Sequence, residues 1–463
     1  MPTLSYLTLL IALLLSLTGY VFLRKPGYRA WWVLGVSLLL YWWVAGEKVV
    51  ILMLYSGVIF IMGRIVRQSR HLRISVGAGM LVVLICLLPL LAAKTDSLLG
   101  WFPAAPLEFS PGNYYLEWLG VSYYVFNGLS YVVDVRRGYV EAARNFPLVL
   151  LYLSFYPVLF AGPLHRAKYF FFQLRSQFHF SIGNCRLAFR LLLIGLFKNL
   201  VLAQRLGSLV DVLGKHGTGV YVWLQGFCFV FYLYCTFSSY VDIARAAAKV
   251  LGISVVENFH SRVLASSSRQ QFWRRWNMTV NNWFRDYLFF PLARLRSSRS
   301  WMKISLLLTF TLIGLWHGLS FQFAAWGLLN GIWILAEQRW AWRFEFIPVR
   351  LRKSLGIVYH LSVAAFLALV FISTDPARTA SRLISHTTLE GGLTPQIIIV
   401  QLVVNGILFL LLDWLYRMAK RQGVENYLEN RSLAFRWSVY VTLIYGILFL
   451  GPDWVFSNYY FQF

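Results

Sequence analysis

The chain of 463 residues is 59% hydrophobic, 18% aromatic and only 13% charged, with a mean hydropathy of +0.61. Soluble globular proteins carry roughly a quarter of charged residues, so this composition excludes an ordinary soluble enzyme and points to a protein solvated by lipid. The formal charge of +25, from 43 basic and 18 acidic residues, lies between the apolar runs. There it suits topology and attraction to membrane lipids with anionic headgroups; an acidic or phosphorylated cytoplasmic partner is the other reading. No basic stretch belongs to a soluble module long enough to fold on nucleic acid.

A bilayer core about 30 Å thick takes roughly 20 apolar residues per spanning helix. Such runs occur at 4–23, 30–44, 48–63, 74–93, 114–133, 146–161, 186–204, 217–236, 302–336, 356–373, 396–414 and 433–450, which predicts about ten to thirteen membrane segments. The first has no basic residue before it, and its basic flank of Arg24, Lys25 and Arg29 comes after, so it reads as a retained helix and not as a signal peptide. By the positive-inside rule those residues put the first loop in the cytoplasm and the N-terminus outside. The same counting sets 64–73, 339–354 and 416–423 inside, and 94–113, 374–395 and the tail after 450 outside. Segments near 146–180 and 302–336 carry Pro, Gly and His. They are expected to be broken or re-entrant, which lipid tolerates only where backbone is buried in protein or lines a watery cavity.

Polar residues interrupt the apolar runs at a few places. Residues 120–138 include Ser122, Asn127, Ser130 and Asp134, and 232–252 include Ser238, Ser239 and Asp242. Each aspartate precedes an arginine by two or three residues, so a local ion pair at a helix end accounts for both. The stretch 257–300 sets Arg269, Arg274, Arg275, Arg285 and Asp286 among Trp273, Trp276 and Trp283. Indole rings favour the membrane interface, and the tryptophan spacings of three and seven predict one face of an interfacial helix. An amphipathic helix pinned by Trp and Arg explains the rings. It explains Asn277, Asn281 and Asn282 less well, because buried amides need partners.

His317, in TLIGLWHGLSFQ, interrupts what would otherwise be an unbroken apolar run. Ionisable groups inside membrane segments are costly and usually face a bundle interior or a water-filled cavity, so function is the default reading. A structural imidazole bonded to a neighbouring helix is the alternative. Gly314 and Gly318 flank Trp316 and His317 and let backbone or ligand approach closely. His71, His165, His179, His216, His260, His360 and His386 read as lying in or beside loops or at segment ends, and Cys86, Cys185, Cys228 and Cys235 as isolated packing residues. No spacing suggests a metal site or a disulfide framework, no repeat is apparent, and no bound cofactor is expected.

The segments SYYVFNGLSYVVDVRRG, FYPVLFAGPLHRAKYFFFQL, YCTFSSYVDIARAAAKVLGI, ENF, FWRRWNMTVNNWFRDYLFFPL and GLWHG, in order from about 115 to 335, closely resemble the membrane-bound O-acyltransferase family. They look like its bacterial branch of alginate, peptidoglycan and cellulose O-acetylation proteins and the D-alanyl transfer protein of teichoic acid synthesis. That resemblance implies an all-α integral membrane protein of the bacterial cytoplasmic membrane. About eleven transmembrane helices, with re-entrant and interfacial helices, would surround a central tunnel where a cytoplasmic acyl donor meets an acceptor from the other face. It also implies one polytopic domain over 1–463, with N-terminal helices (1–113), a catalytic core (114–336), C-terminal helices (337–450) and an aromatic tail (451–463). His317 matches the family's catalytic histidine. The branch commonly reads WRRWH where this chain has WRRWN, so Asn277 takes the place of a second histidine. Asn cannot exchange a proton at neutral pH, but its amide can donate to an acyl carbonyl or orient the base. Trp273, Arg274, Trp276, Trp283, Arg285, Asp286 and Trp316 form the expected tunnel or substrate shell. LARLRSSRS stands where relatives often have a Gly-rich turn, which leaves the donor entrance open. The ending SNYYFQF resembles aromatic tails in which a tyrosine carries the acyl group; Tyr460 corresponds by position, and an interfacial anchor is the alternative.

The expected activity is transfer of a short acyl group, acetyl first, from an acyl thioester of coenzyme A or of a carrier protein to hydroxyls of an extracytoplasmic polysaccharide. An extracytoplasmic or membrane-anchored transferase is the expected partner. D-alanyl transfer from a carrier protein is the alternative within the class, and a transporter with His317 as proton relay, or a non-catalytic scaffold, are the alternatives outside it.

Overall fold

The computed structural model describes residues 6–23, 25–69, 82–91, 120–159, 162–176, 181–340, 348–373, 375–389, 394–419 and 422–451. The regular elements among them are helical, beside one isolated antiparallel bridge between Gly217 and Leu389. In chain order the main helices are α1 (Tyr6–Phe22), α2 (Pro26–Ala45), α3 (Val49–Gln68), α4 (Val82–Leu91), α5 (Val121–Arg137), α6 (Phe146–Ser154), α7 (Ala167–Ser176), α8 (Ile182–Phe197), α9 (Gln204–His216), α10 (Val220–Val250), α11 (Arg269–Trp273), α12 (Met278–Phe284), α13 (Arg299–His317), α14 (Phe321–Trp340), α15 (Val349–Ile372), α16 (Pro376–Ile384), α17 (Pro395–Ala419), α18 (Val424–Glu429) and α19 (Leu433–Leu450).

Six helical stretches among the described residues are long and apolar enough to cross a membrane: Gly27–Gln68, Ile182–His216, Val220–Val250, Val349–Ile372, Pro395–Ala419 and Leu433–Leu450. Their outer faces carry large apolar side chains, such as Leu410, Leu411 and Trp414 on α17 and Leu448 and Phe449 on α19. Water would penalise such faces and lipid does not. The protein is an all-α, multi-spanning membrane protein.

Backbone packing groups the chain into two compact units, Met1–Phe189 with Ile243–Val256, and Arg190–Asp242 with Glu257–Phe461. The first is organised by buried tyrosines whose hydroxyls satisfy backbone groups at helix breaks. Tyr152 Oη donates to the His165 carbonyl at 2.8 Å, and Tyr131 Oη accepts the Ala143 N–H at 2.8 Å. In the segment near 146–180, expected to be broken or re-entrant, the helix breaks at Phe155, after which a short turn, Tyr156–Leu159, continues.

The second unit contains a buried charge network. A π-helical turn, Lys198–Ala203, joins α8 to α9 and sets the buried Lys198 against α10 and α17. Its Nζ donates to Asp242 Oδ2 at 2.6 Å and to Tyr416 Oη at 2.6 Å. The sequence reading offered Asp242 only a neighbouring arginine; the distant lysine is a partner that local spacing cannot show. Arg190, also buried, pairs with Glu429 and donates to Tyr440 Oη at 2.7 Å.

Two further expectations are corrected here. The stretch 257–300 is not one helix: α11 ends at Trp273, Asn277 takes a left-handed conformation (φ 41°), α12 begins at Met278, and a π turn follows over Arg285–Phe289. Trp273, Trp276 and Trp283 therefore do not share a helical face. His360 lies well inside α15 and is fully buried, not at a segment end, because α15 starts earlier than the apolar run that announced it.

The apolar run 302–336 folds as the hairpin α13–α14, broken after His317. The two helices approach so closely that a Cβ on Gly314 would lie 2.0 Å from the Phe323 carbonyl oxygen, and one on Gly327 would lie 2.1 Å from that of Phe310. Only glycine permits this backbone approach.

Candidate active site

The α13–α14 hairpin places His317 at the end of α13. Ser298 caps the start of that helix, accepting the Trp301 N–H at 3.0 Å. The half-buried imidazole sits among aromatic rings: Trp316 at 4.7 Å, Phe371 of α15 at 5.2 Å and Trp326 of α14 at 5.4 Å between centroids. Ring contacts of this kind fix the ring plane.

Asn277 reaches the same place from another direction. Its left-handed backbone is one that Asn adopts more readily than most residues, and Asn258 clamps it. Asn258 Oδ1 accepts the Thr279 N–H at 2.8 Å, so its Nδ2 is the atom that donates, at 2.8 Å, to Asn277 Oδ1. A backbone donor thus settles both amide orientations. Asn277 Oδ1 is engaged, and its Nδ2, which has no partner among the described residues, keeps its N–H groups for another acceptor. Asn281 is held separately, its Nδ2 donating to the Trp273 carbonyl.

His317 and Asn277 line one cavity of about 90 Å³, whose walls include Trp273, Trp276 and Trp316 and aromatic and aliphatic side chains of α10 and α15. Arg269 lines it too, a residue absent from the shell expected from sequence. The signal was available: an arginine four residues before Trp273 on a helical turn shares its face. A second cavity, of about 750 Å³, shares Trp273, Asn281, Phe284 and Ile313 with the first. Arg274, Arg285, Arg299 and Lys303 line it, with no carboxylate among its lining residues. Trp283 packs on Phe284 and Tyr287, and Asp286 pairs with Arg285 at 2.9 Å; neither residue lines either cavity. Tyr460 lies outside the described residues. Among those residues, no group of three or more His, Cys, Asp or Glu is placed to hold a metal ion.

Among the described residues of this multi-spanning helical protein, an imidazole and an amide donor thus line one small cavity beside a larger basic one. The profile of the membrane-bound O-acyltransferase family matches residues 34–373, and the chain belongs to that family. It is 33% identical over 241 residues to the probable alginate O-acetylase of Azotobacter vinelandii, which covers 50% of this chain and 46% of that protein. It is 28% identical to the peptidoglycan O-acetyltransferase of Helicobacter pylori, over 51% of this chain and 52% of the relative. With the teichoic acid D-alanyltransferase of Bacillus subtilis it shares 25% identity, over 58% and 70%. The chain spans about half the length of the alginate and peptidoglycan relatives it matches.

Proposed function

We propose that this protein passes a short acyl group, acetyl in the simplest case, from a cytoplasmic thioester across the membrane for O-acylation of an extracytoplasmic polysaccharide. The observation that carries this reading is the meeting of His317 and the free amide of Asn277 on one 90 Å³ apolar cavity. The attacking hydroxyl oxygen forms a bond to the thioester carbonyl carbon and the carbon–sulfur bond breaks. His317 takes the hydroxyl proton and returns it to the leaving thiolate. Asn277 Nδ2 donates to the carbonyl oxygen as negative charge develops there. Trp273, Trp276 and Trp316 shape the acyl cavity. Arg274, Arg299 and Lys303, with Arg285 beside its partner Asp286, hold the phosphate groups of the donor in the adjoining cavity, where no carboxylate is among the lining residues.

In this reading about eleven helices enclose a tunnel, the N-terminus faces out, and a tail carrying Tyr460 relays the acyl group to an extracytoplasmic transferase. A second reading, D-alanyl transfer from a carrier protein, draws on the Bacillus subtilis relative, which covers the largest share of this chain among the three relatives described. The test is the acyl content and identity of extracytoplasmic glycans in cells carrying wild-type protein, His317→Ala, Asn277→Ala or Tyr460→Phe at matched membrane abundance. Loss of acylation with His317→Ala is expected, with partial loss for Asn277→Ala. Full acylation with His317→Ala overturns the assignment, and D-alanine in place of acetyl selects the second reading.

A further inference from the structure

We propose that the cavity beside His317 takes an acyl group ending in a carboxylate, a half-acyl of a short dicarboxylic acid, and that Arg269 is the residue that anchors it. The inference rests on reading that cavity as the acyl-transfer site, and it goes further by naming the acyl class.

Arg269 opens α11 and is only 3% exposed. Its side chain is built into place. Nη2 donates to Asn330 Oδ1 at 2.6 Å, an oxygen that also takes Trp273 Nε1–H at 3.2 Å, while Asn330 Nδ2 is spent on the Trp326 carbonyl at 2.8 Å. The guanidinium lies 4.5 Å from the centre of the Phe272 ring and 5.7 Å from that of Trp273. Among the described residues its Nε and Nη1 have no hydrogen-bond partner.

Among the described residues no carboxylate forms an ion pair with the guanidinium; the one whose charge acts on it is Glu337. Asn330 is neutral. Glu337 spends Oε2 on the backbone N–H of Arg269, at 2.8 Å, and its Oε1 is itself unpartnered. His360 packs on Phe272 at 5.1 Å between ring centroids, with no partner for either ring nitrogen among the described residues, and brings no negative charge. Buried guanidinium N–H groups left without an acceptor are unfavourable even with a carboxylate nearby, and here the side chain borders the cavity that His317 lines. Guanidinium geometry suits a carboxylate, and more tightly than it suits a neutral acceptor.

Size decides which substrate brings the carboxylate. A cavity of about 150 Å³ binds benzene; this one, at about 90 Å³, has room for a short chain and none for a sugar ring. An acceptor sugar would present only its hydroxyl to His317, so the anion is assigned to the acyl group, which the cavity can hold whole. The reaction balances as before: hydroxyl plus half-thioester gives half-ester plus thiol, the distal carboxylate unchanged.

The test compares succinyl-, butyryl- and acetyl-coenzyme A on the full chain in proteoliposomes. Two readouts are used, thiol release and the thermal stabilisation each thioester gives. Succinyl and butyryl differ in the terminal group that Arg269 would read. The wild type is expected to favour succinyl over butyryl in kcat/KM by on the order of tenfold or more, and Arg269→Met to lower that ratio toward one, with Arg269→Lys between. Equal use of the two by wild type overturns the inference while leaving acyl transfer standing. So does Arg269→Met lowering all three thioesters in the same proportion, which would make Arg269 a ligand of the shared carbonyl. Failure of every thioester to bind or react removes the acyl-transfer reading itself, and this inference with it.

Discussion

Replacing Gly314 with alanine tests whether the α13–α14 hairpin sets the position of His317. The new Cβ would lie 2.0 Å from the Phe323 carbonyl oxygen, 2.9 Å from its carbonyl carbon and 3.2 Å from Gly327 Cα. All three obstacles are backbone, so no rotamer change relieves them, and the helices must part by about 1 Å before the oxygen contact becomes tolerable. Overpacking of this kind costs about 1–3 kcal/mol, against a gain of up to about 1 kcal/mol for Ala over Gly in a helix. The imidazole, three residues further on, moves with the helix, and a displacement of about 1 Å lowers a rate by on the order of a hundredfold. Gly406→Ala on α17 is the control, since its Cβ would meet nothing within 4 Å. Thermal unfolding of the purified protein in detergent and acyl transfer in membranes are the assays. Gly314→Ala unfolding at the same temperature as Gly406→Ala, with activity retained, would refute the reasoning.

Breaking the Lys198–Asp242 pair with Asp242→Asn leaves a buried lysine short of its counter-charge and is expected to cost about 3–5 kcal/mol, with Lys198→Met/Asp242→Leu recovering most of it. Denaturation in mixed micelles measures both, and a loss below about 1 kcal/mol would show that water reaches the pair. In the basic cavity, Arg299→Gln with Lys303→Gln should raise KM for a phosphate-bearing thioester several-fold, change kcat less and flatten the salt dependence of KM. An unchanged KM with an unchanged salt slope places the donor elsewhere.

The sequence disclosed much of the membrane character, because twenty-residue apolar runs are a direct imprint of bilayer thickness. His317 and the break after it were also visible, since an imidazole and two flanking glycines are anomalous in such a run. Long-range pairings were not. Lys198 sits in an apolar stretch with no local acid, which should have prompted a search for a distant carboxylate, but nothing in the spacing identifies Asp242 on α10. The tryptophan periodicity misled for a definite reason: Asn277 reverses the sign of φ between Trp276 and Met278, and a period counts through such a reversal as if it were absent. Arg269 looked like one more interfacial cation; only the fold, by closing Asn330 and Phe272 around it, shows that it is buried.

The left-handed backbone at Asn277 also bears on how such a site changes over generations. Conformation screens the residue there before chemistry does, and Asn, Asp and His are the side chains most enriched, after glycine, among those that accept a positive φ. The resemblance of WRRWN to a branch that commonly reads WRRWH makes histidine the expected alternative at the position. Asparagine and histidine codons differ by a single base, so one nucleotide change exchanges an amide for an imidazole while the turn stays intact. A β-branched side chain, by contrast, would strain the turn. The amide and imidazole versions of this site are therefore one base apart, and the positive φ suits both side chains better than most.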